Sequence, residues 1–389
     1  MKKILMTRTT GTAGDGYMTA LTQDGKLIEL LRDGEDAAIV GNVYLGVVKQ
    51  MSGHFIFFDI GYSHMNQAFL DTRDNKEKGR FSKKNSQIKI GDAVLVQVLK
   101  DGNEDKGPNV TSCISFTGRY VVVSKSINED KAGISKKISR DDEHKRLKAI
   151  ARDCLPPRFS IIFRSAAEGV CEDAIKNEIE ALLDRFNQCF AFTNEETPCA
   201  VWSREAIVKT LFEIIQEDVD EIAIDDEVAY KSILKDLLPL YPDFEDKISL
   251  YSGEEGLFAL NLLETQIEKI HNKRVWLKCG GCIVIEQTEA CVVVDVNSAK
   301  CFTGGDGGRY AINIEAAKET LFQLRLRNLS GIIIIDFLRM NIKENMHKLL
   351  GFLETEAKKD RMSIVVVGET TLGLIELTRK KGRKPLKLK

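Results

Sequence analysis

The sequence predicts a multidomain α+β protein, and three observations support that fold class. The chain has 389 residues, which is enough for two or three domains. Closely spaced strand-like segments with glycine turns lie in the amino-terminal part, a pattern typical of a small β-barrel. From about residue 279 onward, strand-like and helix-like segments alternate, which predicts a layered α/β domain.

The composition is that of an ordinary globular protein and excludes several classes. Hydrophobic residues make up 43% and charged residues 29%, and the formal net charge is −2, so the chain is not a polycation. An anionic partner must therefore be held by local basic patches. No apolar run approaches the roughly 18 to 20 residues of a membrane span, and "MKKILMTRTT" lacks the apolar run of a signal peptide. Nine cysteines, an odd number, fit reduced thiols, and we expect a cytoplasmic protein.

The amino-terminal half contains several short strands and one clear helix. Asp24 and Gly25 form the turn of a predicted hairpin, because this pair suits a tight turn between strands. Glycines separate a run of short strands over residues 41–70, and this run is the main support for the predicted barrel. Further on, "CEDAIKNEIEALLDRF" has apolar residues at helical spacing.

The carboxyl-terminal part has the clearest pattern. "GCIVIEQTEACVVVDVNSAK" predicts a hairpin, and "YAINIEAAKETLFQLRLRNLS" predicts a helix for which Gly331 suits the C-terminal cap. We interpret "FTGGDGG", just before that helix, as a flexible connection. "GIIIIDFLRM" predicts a buried strand, and a further helix and strand follow it.

Two aspartates end apolar strands in the same way. Asp295 follows three valines and Asp336 follows four isoleucines, with the predicted helix between them. If the two strands are parallel neighbours, the right-handed crossover brings both aspartates to one edge of the sheet, where ligands bind in open α/β folds. Two carboxylates at one point suit magnesium, and Asn297 lies on the same strand face as Asp295.

The alternative is that both aspartates are turn or capping residues at strand ends. No HExxH, P-loop or GxGxxG pattern competes for a catalytic role. The residues alone therefore leave the metal site and the capping interpretation open.

Several segments resemble the ribonuclease E / ribonuclease G family of endoribonucleases. The catalytic core of that family is matched in order and spacing by "GCIVIEQTEACVVVDVNSAKCFTGG", "LRLRNLSGIIIIDFLRM" and "LGLIELTRKK". The resemblance extends to the amino-terminal half through "GNVYLGVVKQ", "FFDIGYSHMNQAFL", "KGPNVTSCISFTGRYVVV" and "FRSA".

The resemblance implies a four-part architecture. An RNase H-like subdomain would consist of residues 1–40 and 212–278, with an OB-fold RNA-binding domain inserted at 41–118. A 5′-sensor subdomain would follow at 119–211, and a DNase I-like catalytic subdomain would occupy 279–389.

The resemblance also implies a reaction. The magnesium-binding aspartates of the family fall on Asp295 and Asp336, and its accompanying asparagine falls on Asn297. The implied activity is Mg²⁺-dependent cleavage of single-stranded, A/U-rich RNA, leaving 5′-phosphate and 3′-hydroxyl ends, in rRNA or tRNA processing or in mRNA decay. The same three residues are selected by the strand-end argument and by the resemblance.

For RNA binding, the resemblance assigns Phe57 and Phe69 to an apolar platform for a base, with Lys106 on the same surface. The pattern alone favours a core position for Phe57 and a surface position for Phe69. The 5′-phosphate sensor would consist of Arg164 and Ser165, with backbone groups at Gly118 and Val122. Without the resemblance, a surface salt bridge is the expected role for Arg164.

The sequence departs from the family pattern at three places. The chain stops at Lys389 without a CPxCxG-like zinc motif, so we expect no zinc-linked assembly and leave a homodimer open. Cys279 and Cys282 have ligand spacing but lack a second pair, so we favour a hairpin turn there. Thr371 replaces a residue that is commonly basic in the family, and the basic tail after it offers compensating contacts or is a solvated end.

Two alternatives to the nuclease stand beside it. One is a non-catalytic RNA-binding or ribosome-associated protein that retains the fold, against which the Asp295, Asn297 and Asp336 set argues. The other is an assembly scaffold, a role that normally uses a long disordered extension.

Overall fold

The computed structural model describes most of the chain, namely residues 1–9, 16–33, 39–62, 67–74, 88–102, 106–125, 132–191, 197–215, 218–299, 305–381, 383 and 385–386. Part of the "FTGGDGG" segment, at 302–304, and part of the basic tail, at 382, 384 and 387–389, lie outside these residues. Across the helices that are described, none combines the length and the apolar character that a membrane crossing requires.

The strands, numbered along the chain, are β1 (Lys2–Thr9), β2 (Gly16–Gln23), β3 (Lys26–Asp33), β4 (Val43–Ser52), β5 (Phe55–Asp59), β6 (Ala68–Asp71), β7 (Ala93–Lys100), β8 (Asn109–Thr111), β9 (Ser115–Thr117), β10 (Val121–Lys125), β11 (Ala132–Ile134), β12 (Phe159–Phe163), β13 (Cys199–Trp202), β14 (Glu221–Ile224), β15 (Ile248–Leu250), β16 (Arg274–Trp276), β17 (Cys282–Gln287), β18 (Cys291–Asn297), β19 (Gly331–Asp336), β20 (Ile364–Glu369) and β21 (Ile375–Arg379).

The α-helices are α1 (Asp141–Cys154), α2 (Glu172–Phe190), α3 (Ala206–Ile214), α4 (Glu227–Leu237), α5 (Leu257–Leu260), α6 (Glu264–Lys269), α7 (Gly305–Leu326) and α8 (Lys343–Ala357), and two short 3₁₀ helices cover Ser165–Ala167 and Pro242–Lys247.

The chain divides into two compact units. The first consists of Met1–Glu35, Glu213–Glu227 and Ile248–Lys389, and the second of Asp36–Phe212 and Val228–Lys247. Each unit thus contains segments that are distant in the sequence.

The first unit contains two mixed sheets. One has the strand order β15-β14-β1-β2-β3, and its β2–β3 hairpin turns at Asp24 and Gly25 as predicted. The other has the order β16-β17-β18-β19-β21-β20. In this second sheet β18 and β19 are parallel neighbours joined through α7, which confirms the predicted crossover.

Burial alternates along β18 although its sequence is a nearly continuous apolar run. Buried side chains of β17, β18, β19 and β21 pack with residues of α7 and α8 in one hydrophobic cluster. Val292, Val294 and Val296 point into this cluster, while Val293 and Asp295 are exposed. One sheet face is therefore covered by helices, and the opposite face carries the exposed residues.

The second unit contains a closed barrel of five strands. The pairing β4-β5-β6-β8-β7 returns to β4, so the sheet has no free edge within the ring. Gly46 on β4 faces the Ile60 side chain, and an added Cβ would lie 3.2 Å from it, so a larger residue there requires Ile60 to shift. The barrel confirms the small β-barrel predicted from the sequence and is consistent with an OB-fold.

A four-stranded sheet with the order β11-β12-β10-β9 completes the second unit. Its inner face packs on α1 and α2, through residues such as Val123, Ile161 and Phe186. The helix α2 is the one predicted from "CEDAIKNEIEALLDRF".

Two local predictions in the carboxyl-terminal part of the chain were wrong. The helix α7 ends at Leu326, and Asn328, with φ 53°, provides the left-handed residue that was expected at Gly331. Asn tolerates that conformation, and Gly331, with φ 93°, lies beyond this cap as the first residue of β19. The helix also begins earlier than predicted, at Gly305, because Asp306 in its first turn accepts hydrogen bonds from the backbone N–H groups of Asn341 and Ile342.

Candidate functional site

Asp295 and Asp336 are direct neighbours across the β18–β19 pair. They are register partners in the parallel ladder, and both side chains are exposed. Because register partners on parallel strands project to the same face, the two carboxylates lie side by side on strands about 4.8 Å apart. The proximity expected from the sequence is therefore observed. We refer to Asp295 and Asp336 as the carboxylate pair.

Asn297 contacts this pair directly. Its Nδ2 donates a hydrogen bond of 2.6 Å to Oδ2 of Asp295. The Asp336 carboxylate makes no hydrogen bond or ion pair with any of the described residues. Two adjacent carboxylates without a cationic partner repel each other, and a divalent cation removes that repulsion.

The donor set fits a magnesium-type ion. Two carboxylates and one amide supply only oxygen ligands, and magnesium commonly takes one or two carboxylates with waters and phosphate oxygens. Within the described ranges, no group of three or more His, Cys, Asp or Glu residues forms a metal site. A fully protein-built cage of that kind is thus not seen there, and the carboxylate pair is the candidate.

A buried asparagine fixes the segment that follows Asp336. Asn313 on α7 is fully buried, donates to the carbonyl of Leu338 at 2.8 Å and accepts from its N–H at 3.0 Å. Arg309, one turn earlier, donates to the carbonyl of Arg339 at 3.2 Å. Sequence reasoning missed this clamp, although a polar residue in the apolar stripe of a helix is its signal.

The Cys279–Cys282 segment forms a turn between β16 and β17, as favoured from the sequence. Leu277 donates to the carbonyl of Gly281 at 2.8 Å, and the Glu315 carboxylate accepts from the N–H of Cys279 at 3.2 Å. An added Cβ at Gly281 would lie 2.9 Å from the carbonyl oxygen of Asn297, so glycine is required there. The turn thus packs against the end of β18, the strand that carries Asp295 and Asn297.

Three phenylalanines share one outer face of the barrel. Phe57 and Phe69 are register partners on β5 and β6, and Phe55 lies 6.4 Å from Phe57 and 6.0 Å from Phe69 between ring centroids. All three rings are half-buried, whereas Ile56 and Phe58 between them fill the barrel core. Phe57 is therefore a surface residue, against the core position that the pattern alone favoured. We call these three rings the aromatic platform.

Two cations flank the aromatic platform. The Lys106 Nζ lies 5.7 Å from the centroid of Phe69, and the Arg73 guanidinium carbon lies 5.5 Å from that of Phe55. Arg73 also bonds Asp71 at 2.7 Å, and this hydrogen bonding lowers the pKa of the Asp71 carboxyl to about 2. Phe55 and Arg73 were not identified from the sequence. Phe55 lies on β5 and Arg73 lies in the turn after β6, and only the structure shows that the two side chains meet.

Arg164 is held by backbone carbonyls. Its Nη1 donates to the carbonyl of Gly118 at 2.6 Å and to that of Arg119 at 3.3 Å. Among the described residues the guanidinium has no further hydrogen bond and no ion pair, so the surface salt bridge considered as its alternative role is not observed there. Ser165 follows it, exposed, at the start of a short 3₁₀ helix.

Gly118 lies in the turn between β9 and β10, where its carbonyl contacts Arg164, and Val122 lies on β10. The N–H of Gly118 donates to the carbonyl of Val121 at 2.8 Å, so both backbone polar groups of Gly118 are used within the protein. Val122 is half-buried on β10 and pairs with Ile162, which is 52% exposed. This places an apolar surface next to the guanidinium.

Thr371 is exposed in the turn between β20 and β21. The turn is closed by a hydrogen bond of 2.8 Å from the N–H of Thr370 to the carbonyl of Leu374. Its neighbour Leu372 is 84% exposed. The tip of this hairpin therefore offers an uncharged side chain to solvent.

Comparison with known proteins identifies the family. The sequence profile of the ribonuclease E/G family matches residues 115–382. Ribonuclease G of Salmonella typhimurium is 31% identical over 380 residues, which is 92% of this chain and 77% of that protein. Ribonuclease G of Haemophilus influenzae is 32% identical over 386 residues, covering 94% and 78%. Ribonuclease E of Escherichia coli is 33% identical over 299 residues, which is 76% of this chain but 28% of that longer protein.

These matches cover both compact units and confirm the resemblance found in the sequence motifs. The chain belongs to the ribonuclease E/G family, a family of endoribonucleases.

Proposed function

We propose that the protein is a magnesium-dependent endoribonuclease that cleaves single-stranded, A/U-rich RNA in the cytoplasm. Its products would carry 5′-phosphate and 3′-hydroxyl ends, and its role would be rRNA or tRNA processing or mRNA decay. The single observation that supports this most strongly is the carboxylate pair. Its two side chains are exposed and in register, and neither forms an ion pair with a Lys or Arg side chain among the described residues. Membership of the ribonuclease E/G family supports the same reaction class.

In this proposal Asp295 and Asp336 hold the ion. When bound, a divalent ion supplies positive charge for the scissile phosphate and increases the acidity of water. Asn297 keeps the Asp295 carboxylate in one orientation through its 2.6 Å hydrogen bond. Asn313 fixes the backbone two residues after Asp336, so the strand end stays aligned.

The aromatic platform binds bases in this proposal. Half-exposed rings of Phe57 and Phe69 suit stacking with unpaired bases, and Lys106 adds a positive charge for the RNA backbone. Phe55 extends the stacking surface by one ring.

A 5′-monophosphate binds at Arg164 and Ser165 in this proposal. A guanidinium tethered by Nη1 presents its remaining N–H groups as a fork for phosphate oxygens, and the hydroxyl of Ser165 adds a donor. Val122 and Ile162 offer an apolar surface for the first nucleoside.

We further propose the four-part division of the family for this chain. The RNase H-like part would be 1–40 and 212–278, the OB-fold 41–118, the 5′-sensor 119–211 and the DNase I-like part 279–389. The closed barrel of β4 to β8 supports the second of these.

Cleavage of a short, 5′-monophosphorylated A/U-rich RNA by the purified chain tests the function. We expect internal cleavage with Mg²⁺, none with a chelator, and recovery when Mg²⁺ is restored. Products are sequenced to identify their ends. RNA binding without cleavage under all metal conditions would favour the non-catalytic alternative, and equal cleavage with the chelator would reject the metal role.

A further inference from the structure

Glu178, on α2, is a buried carboxylate with an unusual set of partners. It is 2% exposed and accepts hydrogen bonds from three consecutive backbone N–H groups, those of Arg119 at 3.0 Å, Tyr120 at 2.8 Å and Val121 at 2.9 Å. Burial raises the pKa of this carboxyl, and the three donors act in the opposite direction. Among the described residues, no Lys or Arg forms a direct ion pair with it.

The same turn is held from its other side by Arg164. The carboxylate of Glu178 takes the N–H groups of residues 119–121, while the Arg164 guanidinium takes the carbonyls of residues 118 and 119. Segments from three parts of the sequence thus meet at four consecutive residues. We call residues 118–121 the clamped turn.

Gly118 is needed in this arrangement because the Glu178 carboxylate leaves no room for a side chain there. A Cβ added to Gly118 would lie 2.2 Å from Oε1 of Glu178 and 2.5 Å from its carboxyl carbon. Since real Cβ atoms do not approach that closely, any larger residue must displace the carboxylate or the turn. The glycine is therefore explained by the close approach of Glu178.

Three adjacent N–H groups that converge on one point form a natural anion site. Here the protein fills that site with its own carboxylate. A phosphate is therefore excluded from these N–H groups and directed to the outward side of the turn, where Arg164 and Ser165 lie.

We propose that Glu178 is the positioning residue of the 5′-end site: it fills the anion site of the clamped turn and thereby fixes the carbonyls that orient Arg164 for a terminal monophosphate. This inference rests on the proposed function of Arg164. It predicts that loss of the Glu178 carboxylate changes selectivity between 5′ ends, since the turn that tethers the guanidinium is no longer fixed and an N–H group that has lost its acceptor competes for the phosphate.

Glu178→Gln is the principal test. The substitution keeps the shape but removes the charge and places an NH₂ group against one of the N–H donors. The measurement is kcat/KM on two RNAs of one sequence, with a 5′-monophosphate or a 5′-hydroxyl. We expect the monophosphate-to-hydroxyl ratio to fall about tenfold, in line with loss of one charge-assisted contact, while cleavage of the hydroxyl RNA stays within about twofold.

Two further variants give the comparison its controls. Glu180→Gln makes the same chemical change at an exposed position of the same helix, and its ratio should equal that of the wild type. Arg164→Ala should bring the ratio close to one. If Arg164→Ala leaves the ratio unchanged, the proposed end recognition fails. If Arg164→Ala lowers the ratio and Glu178→Gln does not, the positioning role alone is overturned.

A purely structural role would give a different result, since it would lower cleavage of both RNAs together and leave their ratio unchanged. If Glu178→Gln does not fold, Glu178→Asp withdraws the carboxylate from the same N–H groups by one methylene. Its expected outcome is the same selective fall in the ratio, and an unchanged ratio in a folded Glu178→Asp protein contradicts the inference.

Discussion

The carboxylate pair and the clamped turn both involve charged side chains, but the two regions balance the charge differently. Asp295 and Asp336 lie side by side on neighbouring strands, and Asn297 is their sole hydrogen-bond partner among the described residues. In the clamped turn, by contrast, Glu178 takes three N–H groups and Arg164 takes two carbonyls. The carboxylate pair thus keeps its charge available to a ligand. In the clamped turn, Glu178 is hydrogen-bonded within the protein through both carboxylate oxygens, and Arg164 through Nη1.

The difference follows from what each region would bind. A cation site needs carboxylates that repel each other until the ion arrives, so internal partners would weaken it. An anion site built on arginine needs a fixed direction, because a phosphate is recognised by the orientation of N–H donors. Internal hydrogen bonds therefore orient Arg164, whereas the Asp336 carboxylate has none among the described residues.

The largest effect is expected from Asp336→Asn. Removal of one charged ligand costs several kcal/mol of transition-state stabilisation, so cleavage with Mg²⁺ should fall at least about 1,000-fold. RNA affinity should stay unchanged. The melting temperature without metal should not decrease, because the substitution relieves repulsion. A lower melting temperature would indicate that Asp336 has an internal partner, and would contradict the difference described between the carboxylate pair and the clamped turn.

A carboxylate that does have an internal partner should behave in the opposite way. Asp360 is 6% exposed and accepts from Nε and Nη2 of the fully buried Arg379 at 3.0 and 3.2 Å. Asp360→Asn leaves a buried guanidinium uncompensated, so we expect a loss of about 3–5 kcal/mol in the free energy of unfolding. The measurement is urea unfolding, with Glu354→Gln as the exposed control in the same unit. A loss equal to that of the control would contradict the assignment.

A smaller effect is expected at Asn297. Asn297→Ala removes the 2.6 Å hydrogen bond to Asp295 but leaves both carboxylates. Outer-shell partners of metal ligands typically contribute about 10- to 100-fold, so cleavage should fall within that range. Higher Mg²⁺ should recover part of it. A loss as large as that of Asp336→Asn would mean that Asn297 contacts the substrate or the ion directly.

The smallest effect is expected at the edge of the aromatic platform. Phe55→Leu keeps apolar volume but removes the ring, and base stacking is worth about 1–3 kcal/mol for each base, so the Kd for single-stranded RNA should rise about fivefold. Phe55→Tyr should retain wild-type affinity. Equal affinities of all three proteins, measured by fluorescence anisotropy, would remove Phe55 from the RNA surface.

The sequence predicted the carboxylate pair well because strand geometry is local. Three valines before Asp295 and four isoleucines before Asp336 set the face of each strand, and the single helix between them sets the parallel pairing. The two-residue period of a strand together with the right-handed crossover thus places both side chains. The closed barrel was also predicted, because glycine turns between short strands are a local signal.

The clamped turn could not be predicted in the same way. Glu178 and its N–H partners are 57 to 59 residues apart, and Arg164 is 45 to 46 residues from the carbonyls that it contacts. No periodic pattern connects such positions, and a glutamate on a helix usually faces solvent. The helix cap expected at Gly331 was wrong for a different, local reason, since Asn328 adopts a left-handed conformation three residues earlier.

Anomalous diffraction from crystals soaked in Mn²⁺ tests the central claim most directly, because Mn²⁺ prefers the same oxygen ligands as Mg²⁺. We expect one strong anomalous peak within bonding distance of the Asp295 and Asp336 carboxylates, and its loss in an Asp295→Asn/Asp336→Asn crystal. A well-occupied peak elsewhere, with none at the carboxylate pair, would contradict it.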